Sequence, residues 1–185
     1  MIVQNAKINV KIIGIGTKEN RQTMQSKFQL ISFVLIFLFM SCDSNRVFDE
    51  YKSVPNQWQK NDIVEFEFNP TDTLNGYNLF INLRNTNNYK FNNLFLIAEI
   101  DFPNGKSVVD TLEYKMAQPN GELLGTGFTD VKENKLWYKE NFTFNESGTY
   151  KIRVQHAMRE NGNIVGVDAL EGVTDIGFRV ENINE

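Results

Sequence analysis

Residues 142–154 read Phe142-Thr143-Phe144-Asn145-Glu146-Ser147-Gly148-Thr149-Tyr150-Lys151-Ile152-Arg153-Val154. Apolar and polar residues alternate on both sides of a short Asn/Glu/Ser/Gly segment. Period two is the mark of a half-buried strand, whose successive side chains point to opposite faces. Gly and Ser between the two runs supply turn chemistry. The stretch predicts two antiparallel strands, Leu136 to Phe144 and Thr149 to Met158, joined through Asn145–Gly148.

Tyr150 opens the second of these strands just after a Gly-containing turn. This is similar to the tyrosine corner of Ig-like sandwiches, in which the Tyr hydroxyl bonds back to backbone upstream of it. Working outward, Ile63 to Phe68 places Glu65 and Glu67 on one face and Phe66 and Phe68 on the other. Asn69-Pro70-Thr71-Asp72 breaks that run, and Tyr77, Leu79, Ile81 and Leu83 then share one side of the next strand. Leu94 to Phe102 is a more continuous apolar run, read as a central strand buried on both faces. Pro103-Asn104-Gly105-Lys106 is a tight-turn signal that predicts a hairpin with Ser107 to Tyr114. Gly172 to Glu181 is read as the last strand, with a bulge at Gly177.

No window of a dozen residues carries helical periodicity with caps. Met116 to Gly127, with Pro119, Gly121, Gly125 and Gly127, reads as a long loop, and such loops are often functional in compact domains. Seven or eight short strands over the mature part of the chain define an all-β fold, an antiparallel β-sandwich of Ig-like or jelly-roll-like kind.

The N-terminal part obeys different rules. Phe28–Met40 is an almost unbroken apolar run preceded by Lys27. As a helix it would span about 20 Å, short of a bilayer core of about 30 Å, which is the length of a signal-peptide hydrophobic region. It ends at Phe39-Met40-Ser41-Cys42, the only cysteine among 185 residues. A small residue before a lone cysteine resembles the lipobox of bacterial lipoproteins, although Phe39 and Met40 depart from its usual Leu and small residue. Cys42 is accordingly read as the lipid attachment point, since two acyl chains anchor stably where one does not. Residues 1–41 form the signal region, with Met24 as the expected true start, and 42–185 form one lipid-anchored domain.

Charge follows the same division. Residues 1–42 carry a net +4, whereas 43–185 hold 14 basic and 22 acidic residues, a net −8. An acidic body lacks the positive surface that phosphate neutralisation demands, so no nucleic-acid partner is expected. One cysteine excludes an intramolecular disulfide framework and a Cys-based structural zinc site.

Candidate sites are few. His156 shares a face with Tyr150, Ile152 and Val154 and is read as a partly buried, hydrogen-bonded histidine rather than a catalytic one. Asp168, Glu171 and Asp175, like Asp101 and Asp110, are hard oxygen donors, but their spacing matches no calcium loop and they are read as turn acids. Trp58, Tyr77, Tyr89, Phe91, Trp137 and Tyr138 could stack sugars. Adjacent Trp137 and Tyr138 must face opposite ways in a strand, which puts one of them outward. The segment Asn85–Asn93 reads as a polar loop. Asp72-Thr73-Leu74 and Asp110-Thr111-Leu112 resemble a short O-glycosylation acceptor pattern. No phosphate loop, nucleophile elbow or zinc-binding helix motif occurs. This reading assigns no catalytic residue, no metal and no cofactor.

With anchor and β-domain in place, the chain from Met24 onward resembles the GldH family of gliding-motility lipoproteins of Bacteroidetes. The segments that carry the resemblance are Cys42–Tyr51, Trp58 with Phe66–Phe68, Tyr77–Asn85, Asn120–Gly127 and Gly148–Met158. The resemblance implies a non-enzymatic cell-envelope lipoprotein required for gliding, working with other gliding lipoproteins and envelope proteins and linked to type IX secretion. Its expected place is the outer membrane, facing the periplasm, because Asp43-Ser44-Asn45-Arg46 lacks a dense acidic run after the cysteine. Leu123, Leu124 and Phe128, apolar within the long loop, are the candidate partner-binding residues. The alternative is a carbohydrate-binding envelope lipoprotein.

Overall fold

The computed structural model describes residues 45–127, 129–160, 162 and 165–183. Cys42 and Phe128 lie outside the described residues. Ten strands occur among them: β1 (Arg46–Ser53), β2 (Gln57–Gln59), β3 (Val64–Phe68), β4 (Gly76–Asn85), β5 (Asn93–Asp101), β6 (Ser107–Lys115), β7 (Lys132–Thr143), β8 (Tyr150–His156), β9 (Ala169–Glu171) and β10 (Val173–Asn182). Eight of them build two four-stranded antiparallel sheets, one in the order β1-β10-β4-β7 and the other β3-β8-β5-β6. The three-residue strands β2 and β9 pair separately. The Ser44–Glu185 part of the chain is one compact unit, the β-sandwich that the alternation predicts.

The inner faces meet in one apolar core. Tyr77, Leu79, Ile81 and Leu83 of β4 are buried together, as their period-two spacing demands. Opposite them lie Phe66 of β3, Leu96 and Ile100 of β5, and Ile152 and Val154 of β8, all fully buried. Phe66 meets Phe178 of β10 at 6.1 Å between ring centroids, which joins the two sheets directly. Burying an aromatic or branched aliphatic side chain contributes about 2–3 kcal/mol, so this layer dominates the fold's stability.

The turn at Pro103–Lys106 closes the expected β5–β6 hairpin. Phe102 N–H donates to Lys106 O at 2.7 Å, and Gly105 adopts a left-handed φ of 84° that favours glycine. The β7–β8 segment differs from expectation. β7 pairs with β4 and β8 with β3 and β5, so Asn145–Gly148 carries the chain from one sheet to the other rather than closing a hairpin. Tyr150 serves that crossing: its hydroxyl accepts the Glu146 N–H at 3.0 Å, and its ring packs on Phe144 at 4.9 Å. The tyrosine corner is therefore present, and the crossing is the position such corners occupy in sandwiches.

Two further expectations are corrected. β5 is central in its sheet but buried on one face only, with Leu94, Leu96, Ala98 and Ile100 inward and Phe95, Ile97 and Glu99 half-buried outward. The continuous apolar run reflects a partly covered outer face, not a second core. The β10 irregularity lies between Val173 and Asp175, so Gly177 is in regular register opposite Tyr51 and Asn82. A glycine there serves space rather than a bulge. β1 escapes the alternation reading altogether because Arg46, Asp49, Glu50 and Lys52 interrupt its apolar residues.

Candidate docking surface

The outer face of the β1-β10-β4-β7 sheet is not a plain solvated surface. Register aligns Tyr51, Gly177, Asn82 and Lys135 in one row across it, and Asp49, Arg179, Phe80 and Trp137 in the next. Tyr51 lies flat in the gap left by Gly177. Its hydroxyl accepts from Asn82 Nδ2 at 2.9 Å and donates to Glu133 Oε1 at 3.0 Å. Arg84 stacks over the same ring at 4.0 Å and bonds Glu133 through Nε at 2.8 Å. Burial first, and then the Glu133 hydrogen bond and charge, push the Tyr51 phenol up to about 12, so it remains a donor at any physiological pH.

The second row is aromatic. Phe80 points outward from β4 yet is buried, because Trp137 packs edge-on against it at 4.7 Å and the Lys135 ammonium sits 4.0 Å over its ring. Lys135 is held by Glu181 at 2.7 Å, and Arg179 bonds both Glu181 and Asp49. Burial would raise the Glu181 carboxyl, but the hydrogen bonds and charges of Lys135 and Arg179 outweigh it and hold the group below the usual carboxylate range. Trp137 itself remains 48% exposed on this fixed base. A rigid indole over a buried aromatic, ringed by ordered charges, is the composition of an interface anchor.

The long loop reaches the same margin of the sheet. Thr126 and Glu133 exchange backbone hydrogen bonds at 2.9 and 2.8 Å, which ties the loop to β7, while Leu124 N–H turns away to Met116 O at 2.8 Å. Between them lies a groove of about 540 Å3 lined by Lys115, Leu124, Gly125, Lys135 and Leu136, among others. Of the loop residues singled out from sequence, Leu124 is half-buried in this groove, and Leu123 is half-buried against the core. The loop is thus an ordered flap on the β7 margin, bridged at Ala117–Leu123 and Thr126–Glu133.

The other sequence candidates fall elsewhere. Trp58, Tyr77, Tyr89 and Tyr138 are buried, so the six aromatics do not form a common stacking platform, and Trp137 is the outward member of its pair. His156 is fully buried rather than partly so, edge-on to Trp58 at 5.4 Å. Neither ring nitrogen reaches good hydrogen-bond geometry among the described residues, and burial lowers its pKa against the weaker opposing pull of the Trp58 backbone. Glu171 pairs with Lys90, and Asp175 accepts from Ser53 Oγ, so these acids are engaged separately. Asp101 and Asp110 likewise bind Arg153 and Lys139, at 2.7 and 2.8 Å. Sequence reasoning missed Tyr51 and Phe80 and took Gly177 for a bulge, and only the pairing register brings the three together.

Fold and surface thus define a class, an antiparallel β-sandwich with an ordered polar outer face and one exposed aromatic anchor. Comparison with known proteins gives the family. Residues 46–180 match the model of the GldH lipoprotein family. The gliding motility lipoprotein GldH homolog of Christiangramia forsetii is 56% identical over 159 residues, covering 85% of this chain and 98% of that protein. The gliding motility lipoprotein GldH of Flavobacterium johnsoniae is 54% identical over 158 residues, with the same coverage of both chains. The chain belongs to the GldH lipoprotein family. Among solved structures, the infectious bursal disease virus VP2 subviral particle covers 76% of this chain and 33% of its own, at 18% identity and a TM-score of 0.34.

Proposed function

We propose that this chain is a lipid-anchored, non-catalytic component of the gliding machinery, which docks other gliding lipoproteins and envelope proteins through the β7 margin of its sandwich. The observation that carries the reading is the extent of the family match, residues 46–180, which takes in β1, β4 and β7 and all of β10 but its last two residues, Glu181 and Asn182. Cys42 supplies the anchor. The docking surface combines Trp137 with the groove of Leu124, Lys135 and Leu136, and Leu123 and Phe128 are the further apolar candidates from the sequence. The only histidine packs on Trp58, and among the described residues no acid or nucleophile meets its ring nitrogens. Chemistry by general acid or base would need such a partner within hydrogen-bond reach.

In this reading the protein faces the periplasm from the outer membrane and acts beside the type IX apparatus. The direct experiment compares wild type, Cys42→Ala and Trp137→Ala in a strain lacking the gene, scoring colony spreading and the envelope proteins recovered with each. Wild type should restore spreading and recover gliding or secretion components. Cys42→Ala should leave the envelope fraction, and Trp137→Ala should remain there without its partners. Full spreading with both variants would sink the reading.

A further inference from the structure

We propose that the cavity between the β2–β3 turn and the end of β8 binds a small organic anion, a carboxylate with a short apolar body. The cavity measures about 340 Å3 and lies between the turn that precedes β3 and the residues that end and follow β8, with Ile97 of β5. Lys60 and Arg159 line it, and Ile97, Met158 and Val165 give it an apolar wall.

Three observations carry the assignment. First, the domain is acidic, and most of its cations, from Arg46 to Arg179, sit in salt bridges. Lys60 and Arg159 make none among the described residues, yet they converge on one cavity. Second, backbone geometry holds them there. Lys60 N–H donates to Asp168 O at 2.8 Å, and Arg159 is bridged to Gly166. The Lys60 ammonium lies over Gly166, 2.9 Å from where a Cβ on that residue would stand. Third, the buried imidazole of His156 forms part of the wall, and burial and the Lys60 charge both oppose its protonation. Two cations on one cavity, with no ion pair among the described residues, form a site that an anion would complete. The apolar wall adds burial for a hydrocarbon body, which inorganic phosphate cannot use.

His156 is the chain's single histidine, so one selectively 13C-labelled imidazole resonance reports on the cavity without assignment. The mature lipoprotein in detergent micelles would be titrated with butyrate, acetate, inorganic phosphate and the neutral isostere butyramide. Butyrate should shift the resonance saturably, with a dissociation constant of about 1 mM. Acetate and phosphate should bind more weakly, and butyramide should not bind. Lys60→Gln and Arg159→Gln should each weaken butyrate about tenfold, the loss of one charge-assisted contact. No saturable shift with any anion up to about 20 mM, well beyond that constant, would overturn the assignment, as would equal shifts from butyramide. Phosphate binding above butyrate would overturn the carboxylate class. Trp137→Ala should leave the titration unchanged, so this result stands or falls apart from the docking surface.

Discussion

A Cβ on Gly177 would stand 2.8 Å from Cε1 of Tyr51 and 3.1 Å from Cβ of Asn82. The glycine exists so that a tyrosine from the neighbouring strand can lie flat across the sheet. Two effects of Gly177→Ala oppose each other. In a regular strand, alanine would stabilise by about 0.5–1 kcal/mol because glycine loses more entropy on folding. The clash acts on the body of a ring that is pinned at its hydroxyl by Asn82 and Glu133 and on its face by Arg84. Overpacking of this kind costs about 1–3 kcal/mol, so the clash wins and the variant should unfold at lower urea. A variant as stable as wild type would mean that the Tyr51 network is loose.

Tyr150→Phe tests the crossing between the sheets. The ring contacts with Phe144 and Phe102 survive, and only the hydroxyl that accepts the Glu146 N–H is lost. The bond is part-buried, so its loss should cost the net worth of one hydrogen bond, about 0.5–1.5 kcal/mol. The midpoint of urea denaturation should fall by that energy divided by the slope, and the slope should not change, because the denatured state is the same. No change in midpoint would reduce the tyrosine corner here to a packing feature.

The same residues show how much of this molecule could be read from its sequence. Alternation located the core faces of β3, β4 and β8 because each has a wet and a dry side, and the Pro-Asn-Gly-Lys turn fixed one hairpin. Pairing partners across the sandwich were not legible. Leu136–Phe144 and Thr149–Met158 are close in sequence, and only the long-range register of β7 on β4 sends them to different sheets. The outer-face surface was illegible for the same reason: Tyr51, Phe80, Trp137 and Gly177 come from four strands and share no local pattern. The proposed anchor at Cys42 is a reading of the opposite kind, because a lipid attachment signal is local and linear.

Glu181 gives a pH prediction with a defined sign. Its pKa in the folded protein lies below the ordinary 4.5, where Lys135 and Arg179 outweigh the cost of its burial. A depressed carboxylate contributes stability that is fully present above its unfolded pKa and is lost as pH falls through the folded value. Glu181→Gln should therefore be less stable than wild type at pH 7, and the difference should shrink as pH falls below 4.5 and through the lower folded value. Denaturation curves at pH 7, 5 and 3 measure it. A gap that stays constant across that range would show that the loss came from packing rather than from charge.

Trp137 and Phe80 separate docking from folding. They touch at 4.7 Å, but Phe80 is 4% exposed and Trp137 48%. Phe80→Ala removes a buried ring and should cost about 3–5 kcal/mol, with spreading lost because the protein is lost. Trp137→Ala removes a half-exposed ring and should cost about 1 kcal/mol or less, leaving envelope levels near wild type. If spreading fails in that stable variant, and Leu124→Asp in the adjoining groove fails likewise, the β7 margin is where partners bind. If the wild-type protein instead retains polysaccharide and Trp137→Ala releases it, the indole stacks sugar and the face belongs to a carbohydrate-binding lipoprotein. A stable Trp137→Ala protein that supports full spreading and binds every partner would remove this margin from the account of gliding.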